Sequence, residues 1–170
     1  IGRWIALRRR VAAMPVTAAA PARAAAGLQR LLLAADGSEP SLRAAAHLIE
    51  LRRGLRDADG VAVHVVNVQR PLPGDVSSFI AGKTIEEYYQ ERAEQALSPV
   101  RAALDAAGLG YEVHRKVGEP GMVIAGLAAQ IGADMIVMGT RGLGTHTAAL
   151  IGSVAQSTVG QAAVPVLLVK

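Results

Sequence analysis

Between Leu28 and Val169 the apolar residues fall into short blocks, and the spacing inside the blocks switches repeatedly between two periods. The first block, "LQRLLLAA" (28–35), is a nearly continuous apolar run of strand length that ends in the turn-forming "DGSEPS". Ser38 is placed to cap a helix, and Pro40 is tolerated in a helix's first turn. Leu42, Ala45, Ala46 and Ile49 then recur at helical spacing up to about Arg53. "VAVHVVNV" (61–68) is rich in β-branched residues and predicts a second strand. After an irregular stretch with Pro71, Pro73 and Gly74, the pattern predicts a helix from about Thr84 to Ala107. Ile85, Tyr88, Tyr89, Leu97, Val100 and Leu104 lie along one side of it.

"YEVHRKV" (111–117) alternates as a half-buried strand does, and "GEPG" closes it. "MVIAGLAAQI" (122–131) predicts a helix with Val123, Leu127 and Ile131 on one stripe. "ADMIVMG" (133–139) predicts a buried strand, Leu150 to Ala162 a last helix, and "VPVLLV" (164–169) a last strand. Strands separated by helices need right-handed crossovers. The fold class is therefore α/β, a mainly parallel sheet covered on both faces. In such sheets a ligand sits at the carboxyl ends of the strands, where the winding reverses. That directs attention to "DGSEPS", to the end of "VHVVNVQR", and to the glycine-rich stretch after the fourth strand.

Composition narrows the picture. A chain of 170 residues, 51% hydrophobic but 3% aromatic, predicts one domain with a core of Val, Leu, Ile and Ala. The absence of cysteine rules out disulfides, thiol chemistry and cysteine-based metal sites, and fits a cytoplasmic protein. The formal charge of +4 is uneven: residues 1–30 hold six arginines and no acid, whereas the rest hold 12 basic and 14 acidic side chains. The body lacks the basic-plus-aromatic ladder of a nucleic-acid binder, so no nucleic-acid partner is expected. Residues 1–27 are rich in Ala, Arg and Pro without a core-forming period. An Arg-rich, acid-free start also fits an organelle transit peptide, but the expectation adopted is a disordered or wrongly started extension, with one domain over 28–170. No run reaches the roughly 18 apolar residues that span a bilayer, and no membrane partner is expected.

The candidate chemistry lies in Gly139 to Val154, "GTRGLGTHTAALIGSV". It is not the dinucleotide fingerprint, because Gly142-Leu143-Gly144 lacks the third glycine and follows the fourth strand rather than the first. Nor is it a Walker A loop, since the stretch contains no Gly-Lys-Ser/Thr. What remains is Gly139-x2-Gly142-x9-Gly152-Ser153. Glycine admits φ > 0 and lets an oxygen-rich ligand reach the main chain. Gly152-Ser153 falls at or near a helix start, where free N–H groups favour an anion, and the Ser153 hydroxyl adds a donor. Gly142 and Gly144 would carry the chain around that anion as a nest of amides, and Arg141 could neutralise its charge. Two readings stay open on these grounds: the glycines close turns, or they cradle a phosphate.

The glycine spacing, the preceding "IVMG", the final "VPVLLVK" and the early "LLLAADGSEPS" together resemble the universal stress protein family over about residues 28–170. The resemblance implies a three-layer α/β/α fold, Rossmann-like and of the adenine nucleotide alpha hydrolase type, with five parallel strands in the order 3-2-1-4-5. It also implies the branch that binds ATP. Carried over position by position, Asp36 would face the adenosine, Val68 would pack on the adenine, and Met138 and Gly139 would lie against base and ribose. Gly142, Gly152 and Ser153 would hold the phosphates, with the Val154 amide beside them. Magnesium or manganese would come with ATP, bound mainly through phosphate oxygens because no carboxylate cage is visible. Asn67 stands where relatives often have histidine. The family order puts 164–169 at a sheet edge, and an apolar edge predicts a homodimer that covers it.

No Ser-His-Asp order, paired carboxylates or HExxH helix presents itself. His146 has no carboxylate close in sequence to orient it, His47 has no companion that would suggest a metal site, and His64 and His114 read as structural or surface residues. The expectation is a binder with at most slow hydrolysis, no catalytic residue and no protein-held metal. The alternatives are an ATP-hydrolysing or autophosphorylating enzyme using the same pocket, or a module for AMP, a cyclic nucleotide or a protein partner.

Overall fold

A computed structural model describes residues 27–72, 84–142 and 151–170. The elements are β1 (Arg30–Ala34), α1 (Glu39–Arg53), β2 (Ala62–Gln69), α2 (Ile85–Ala106), β3 (Glu112–Val117), α3 (Pro120–Ile131), β4 (Met135–Gly139), α4 (Ser153–Gln161) and β5 (Val166–Val169). All pairings are parallel and the strand order is 3-2-1-4-5, as the resemblance implies. Winding therefore reverses between β1 and β4. The register sets Ala34 opposite both Val66 of β2 and Met138 of β4, so three strand ends stand abreast at that reversal.

Side-chain alternation along the strands divides the core in two. Leu31, Leu33, Val63, Val65 and Val137 face α1 and α2, where they meet Ala44, Leu48, Leu97, Val100 and Leu104. Leu32, Val66, Ile136 and Met138 face the other way, against Ile124, Leu127 and Ala128 of α3 and Ala155 of α4. β1 is buried on both faces, which is why its sequence reads as an unbroken apolar run rather than an alternation.

Local chemistry sets most helix ends. The Ser38 side chain accepts from the Ser41 amide at the start of α1, and Thr84 with Glu87 forms a reciprocal capping box on α2. α3 starts at Pro120, two residues before the predicted Met122, because proline fits a helix's first position. Its buried stripe is Ile124, Leu127 and Ala128, not the predicted Val123 and Ile131. The last helix starts at Ser153 rather than Leu150. Gly152 is its cap with extended backbone (ψ 159), and Leu150 lies outside the described residues. Ile85, predicted in the stripe of α2, is 44% exposed, the rest of that helix's first turn is exposed too, and the buried stripe begins at Ala93. β3 does not keep strict alternation: it is an edge strand with no fully buried residue, and Val117 at its end is exposed.

Candidate functional site

The loop after β1 is built on a turn that needs glycine. Gly37 has φ 81 and packs so closely on α2 that an added Cβ would lie 2.9 Å from the Ala96 Cα. This turn holds Asp36 in place: its Oδ1 accepts from the Ser38 amide at 3.0 Å and the Ser38 hydroxyl at 2.5 Å. The other carboxylate oxygen lies against Gly142, where a Cβ would collide with it. Asp36 and Gly142, 106 positions apart in sequence, are thus neighbours across the β1–β4 reversal.

The two ends of the glycine stretch are clasped by one bond, in which the Gly152 amide donates to the Thr140 carbonyl at 2.7 Å. Thr140 is itself buried, and its own amide donates to Val169 of β5. The Gly152 amide is therefore spent on the fold. The N-terminal turn of α4, which starts with Ser153 and Val154, has no side-chain cap. Amides in such a turn lack intrahelical partners and favour an anion. Gly139, Gly142 and Gly152 all have negative φ, so left-handed backbone is not the reason for glycine at these positions. Close approach is the reason at two of them: Gly142 against Asp36, and Gly139 against Pro40.

Eight of the nine residues singled out by sequence fall into two groups, and Gly139 stands apart. Val68, Met138 and Val154 belong to one apolar cluster on the α3/α4 face. Asp36, Arg141, Gly142, Gly152 and Ser153 form a polar rim at the strand ends, with Arg141 and Ser153 exposed. Gly139 turns its open side to α1, so its bareness is already used by Pro40. Gly144 and His146 lie outside the described residues. Asn67 supports the site from behind: it is 1% exposed, donates to the Ala35 carbonyl at 2.8 Å and accepts from the Gln69 side chain at 2.7 Å. A Gly-Lys-Thr does occur elsewhere, at Gly82-Lys83-Thr84. Ser77 stands where a Walker A loop needs its first glycine, and Thr84 is occupied as the cap of α2.

Two surface cavities lie away from these nine residues. One of about 620 Å³ sits beside the end of β3, lined by Gln69, Ile85, Tyr89 and Lys116. The other, about 510 Å³, opens at the amino ends of the strands between Arg30, His64, Tyr111, Glu112 and Ile131. At its wall the structure brings together three side chains that the sequence reading kept apart. His64 Nδ1 and His114 Nε2 are 3.0 Å apart, and Glu112 reaches both rings. Burial pushes the His64 imidazole below its ordinary range, with Glu112 opposing and His114 and Arg30 adding to the shift. Alternation put Glu112 and His114 on one face, but the register that brings His64 opposite Glu112 is not legible in a single sequence.

Residues 27–170 match the family model described as the universal stress protein family. The chain is 33% identical to a universal stress protein of Methanocaldococcus jannaschii over 142 residues, 84% of this chain and 82% of the relative. It is 35% identical to one of Thermus aquaticus over 141 residues, 82% of this chain and 97% of the relative. Among solved structures, the M. jannaschii protein MJ0577 has a TM-score of 0.71 at 24% identity, covering 84% of this chain and 96% of that one. A universal stress protein in complex with cAMP has a TM-score of 0.63 at 24% identity, covering 84% and 97%. An Arabidopsis thaliana family member with AMP bound has 0.53 at 18%, covering 84% and 91%.

Proposed function

The chain belongs to the universal stress protein family, and on that footing we propose that it is an ATP-binding member acting as a nucleotide-dependent stress-response or signalling module with at most slow hydrolysis. The observation that carries the reading is the clasp between Gly152 and Thr140. It brings Arg141 and Gly142 beside the uncapped first turn of α4, on the rim of an apolar cluster. Those residues suit an adenine nucleotide. Val68 and Met138 offer an apolar surface for the base, while the Asp36 carboxylate accepts from hydroxyl or amino groups and would repel phosphate. The phosphates then belong over the Ser153 and Val154 amides, flanked by Gly142 and Gly152, with Arg141 as a counter-charge and Gly139 beside the ribose. Magnesium or manganese would be held mainly by phosphate oxygens and water.

The hydroxyl–carboxylate pair on this rim, Ser38 with Asp36, is committed to the β1–α1 turn and the cap of α1, which is why binding rather than turnover is proposed. Among the described residues β5 pairs with β4 alone, and its four residues are only half-buried, so a second copy covering that edge through 164–169 is part of the proposal. Sedimentation at micromolar concentration checks the dimer.

The test of the nucleotide is calorimetry of the nucleotide-free protein against ATP, AMP and cAMP, with mass spectrometry of what copurifies with the unheated chain. ATP binding is expected, weakened at least about tenfold in Gly142→Val, whose side chain must displace the Asp36 carboxylate. Unchanged ATP affinity in that variant overturns the site. A preference for AMP or cAMP would support the second reading, which the two nucleotide-bound relatives favour.

A further inference from the structure

The cluster at the amino-terminal end of the sheet has the composition and spacing of a metal site. His64 of β2 stands in register with Glu112 of β3, and His114 follows two residues on, so all three side chains project from the same face of adjacent strands. Their ligand atoms all lie within 4.8 Å of one another. His64 Nδ1 and His114 Nε2 are 3.0 Å apart, and the Glu112 carboxylate spans the pair, with Oε2 3.5 Å from His64 Nδ1 and Oε1 3.6 Å from His114 Nε2. A tetrahedral ion with bonds of about 2.0–2.1 Å has ligand–ligand edges of about 3.3–3.4 Å. The separations from nitrogen to nitrogen and from each nitrogen to its nearer carboxylate oxygen lie on either side of that value, and a single carboxylate oxygen closes the triangle within 4.8 Å.

We propose that His64, Glu112 and His114 form a binding site for a divalent transition-metal ion, zinc first, with its fourth position open to the cavity at the amino ends of the strands. Two imidazoles and one carboxylate are a borderline-soft donor set, which suits zinc and its neighbours better than magnesium or calcium. The rings are prepositioned: both side chains are nearly buried, 12% and 14% exposed, and the rings stack with centroids 5.2 Å apart. Glu112, 67% exposed, supplies the negative charge and an entry side.

The opposing charge is Arg30, which lines the same cavity. Its guanidinium donates to the carbonyl oxygens of Ile131 at 2.6 Å and Gly132 at 3.3 Å at the end of α3. Its charge is thereby shared with a helix C-terminus, where cations are stabilised, and Glu112 offsets the remainder at the ligand atoms. The site is independent of the nucleotide reading. His64 precedes Val68 by four residues on one strand, a span of about 13 Å, so the two sites sit at opposite ends of the sheet.

The bland alternative is that the rings only share a hydrogen bond that ties an edge strand to its neighbour. Calorimetric titration of the chelator-treated, nucleotide-free full chain with zinc chloride separates the two. The proposal expects one zinc per chain, with affinity reduced about tenfold or more in Glu112→Gln and lost in the His64→Asn/His114→Asn pair. The Glu112 change is at an exposed position, so it tests the site even if the double variant fails to fold. Cobalt added to the unaltered chain should give the intense visible bands of a tetrahedral site, and zinc should bleach them. Absence of zinc binding, or binding that Glu112→Gln leaves unchanged, overturns the proposal. So does a weak octahedral cobalt spectrum.

Discussion

Replacing Gly139 by alanine adds one methyl group at a point near the proposed site that is closed in by backbone. Gly139 ends β4, and an added Cβ would lie 2.7 Å from the Pro40 Cβ, 2.8 Å from its carbonyl carbon and 3.0 Å from its carbonyl oxygen. Ordinary carbon contacts are about 3.5–4.0 Å, so strand and helix must part by roughly 0.5–1 Å. Two of the three atoms are backbone in the first turn of α1, so no rotamer change relieves the contact. The helix is also held in place by its Ser38 cap and by Asp36 behind that cap. Overpacking of this kind costs about 1–3 kcal/mol, and the stiffer unfolded chain offsets about 0.4–1 kcal/mol of it. The net expectation is a loss of about 1–2 kcal/mol.

Urea denaturation reads that loss as a midpoint lowered by about 0.5–1 M at unchanged slope, for a slope near 2 kcal/mol per molar. Gly126→Ala supplies the contrast. Gly126 is exposed within α3 and has nothing within 4 Å of its added Cβ, so the same chemical change should stabilise by up to about 1 kcal/mol. If Gly139→Ala matches the wild type, or gains stability as Gly126→Ala does, close approach is not why glycine stands there.

Two further outcomes are expected. Asn67→Ala removes the partner of the Ala35 carbonyl in a fully buried setting and should cost about 1–3 kcal/mol in the same assay, with weaker nucleotide binding because the turn carrying Asp36 loosens. The Glu94 carboxylate is held below its ordinary 4.5, chiefly by its hydrogen bond from Arg115, with Arg101 adding attraction. A lowered carboxylate contributes stability above its unfolded value and loses it as pH falls through the folded value. The difference between wild type and Glu94→Gln should therefore be about 0.2–1 kcal/mol at neutral pH, shrink with added salt, and fall away as pH drops below 4.5 and through the lowered folded value. Equal differences at pH 7 and pH 3 would refute that assignment.

The fold was legible because each block of the chain keeps one period. Leu31 to Ala34 is apolar throughout, as only a strand buried on both faces can be, and α1 and α2 announce their starts with Ser38 and Thr84. The strand order was not in the periods; it came with the family resemblance. The residues of the proposed nucleotide site were legible by spacing, but the role of their glycines was not. Whether a missing Cβ serves φ or contact depends on Pro40 and Asp36, more than 90 residues away. The His64–Glu112–His114 cluster escaped for a related reason: it exists only through the pairing of β2 with β3.

The position of β1 has a consequence for how the protein is made. Of the five strands of the sheet this one is translated first, yet its second neighbour, β4, begins at Met135, about a hundred residues later. At about 5–20 residues per second, the nascent chain carries Leu31, Leu32 and Leu33 with one flank unpaired for roughly 5–20 s. Such a flank is a template for unwanted strand addition, so ribosome-held intermediates should rely on chaperones until β4 emerges. Protease digestion of stalled chains should show protection of β1 rising only once Met138 has cleared the exit tunnel; early protection would mean that the amino-terminal half shelters itself.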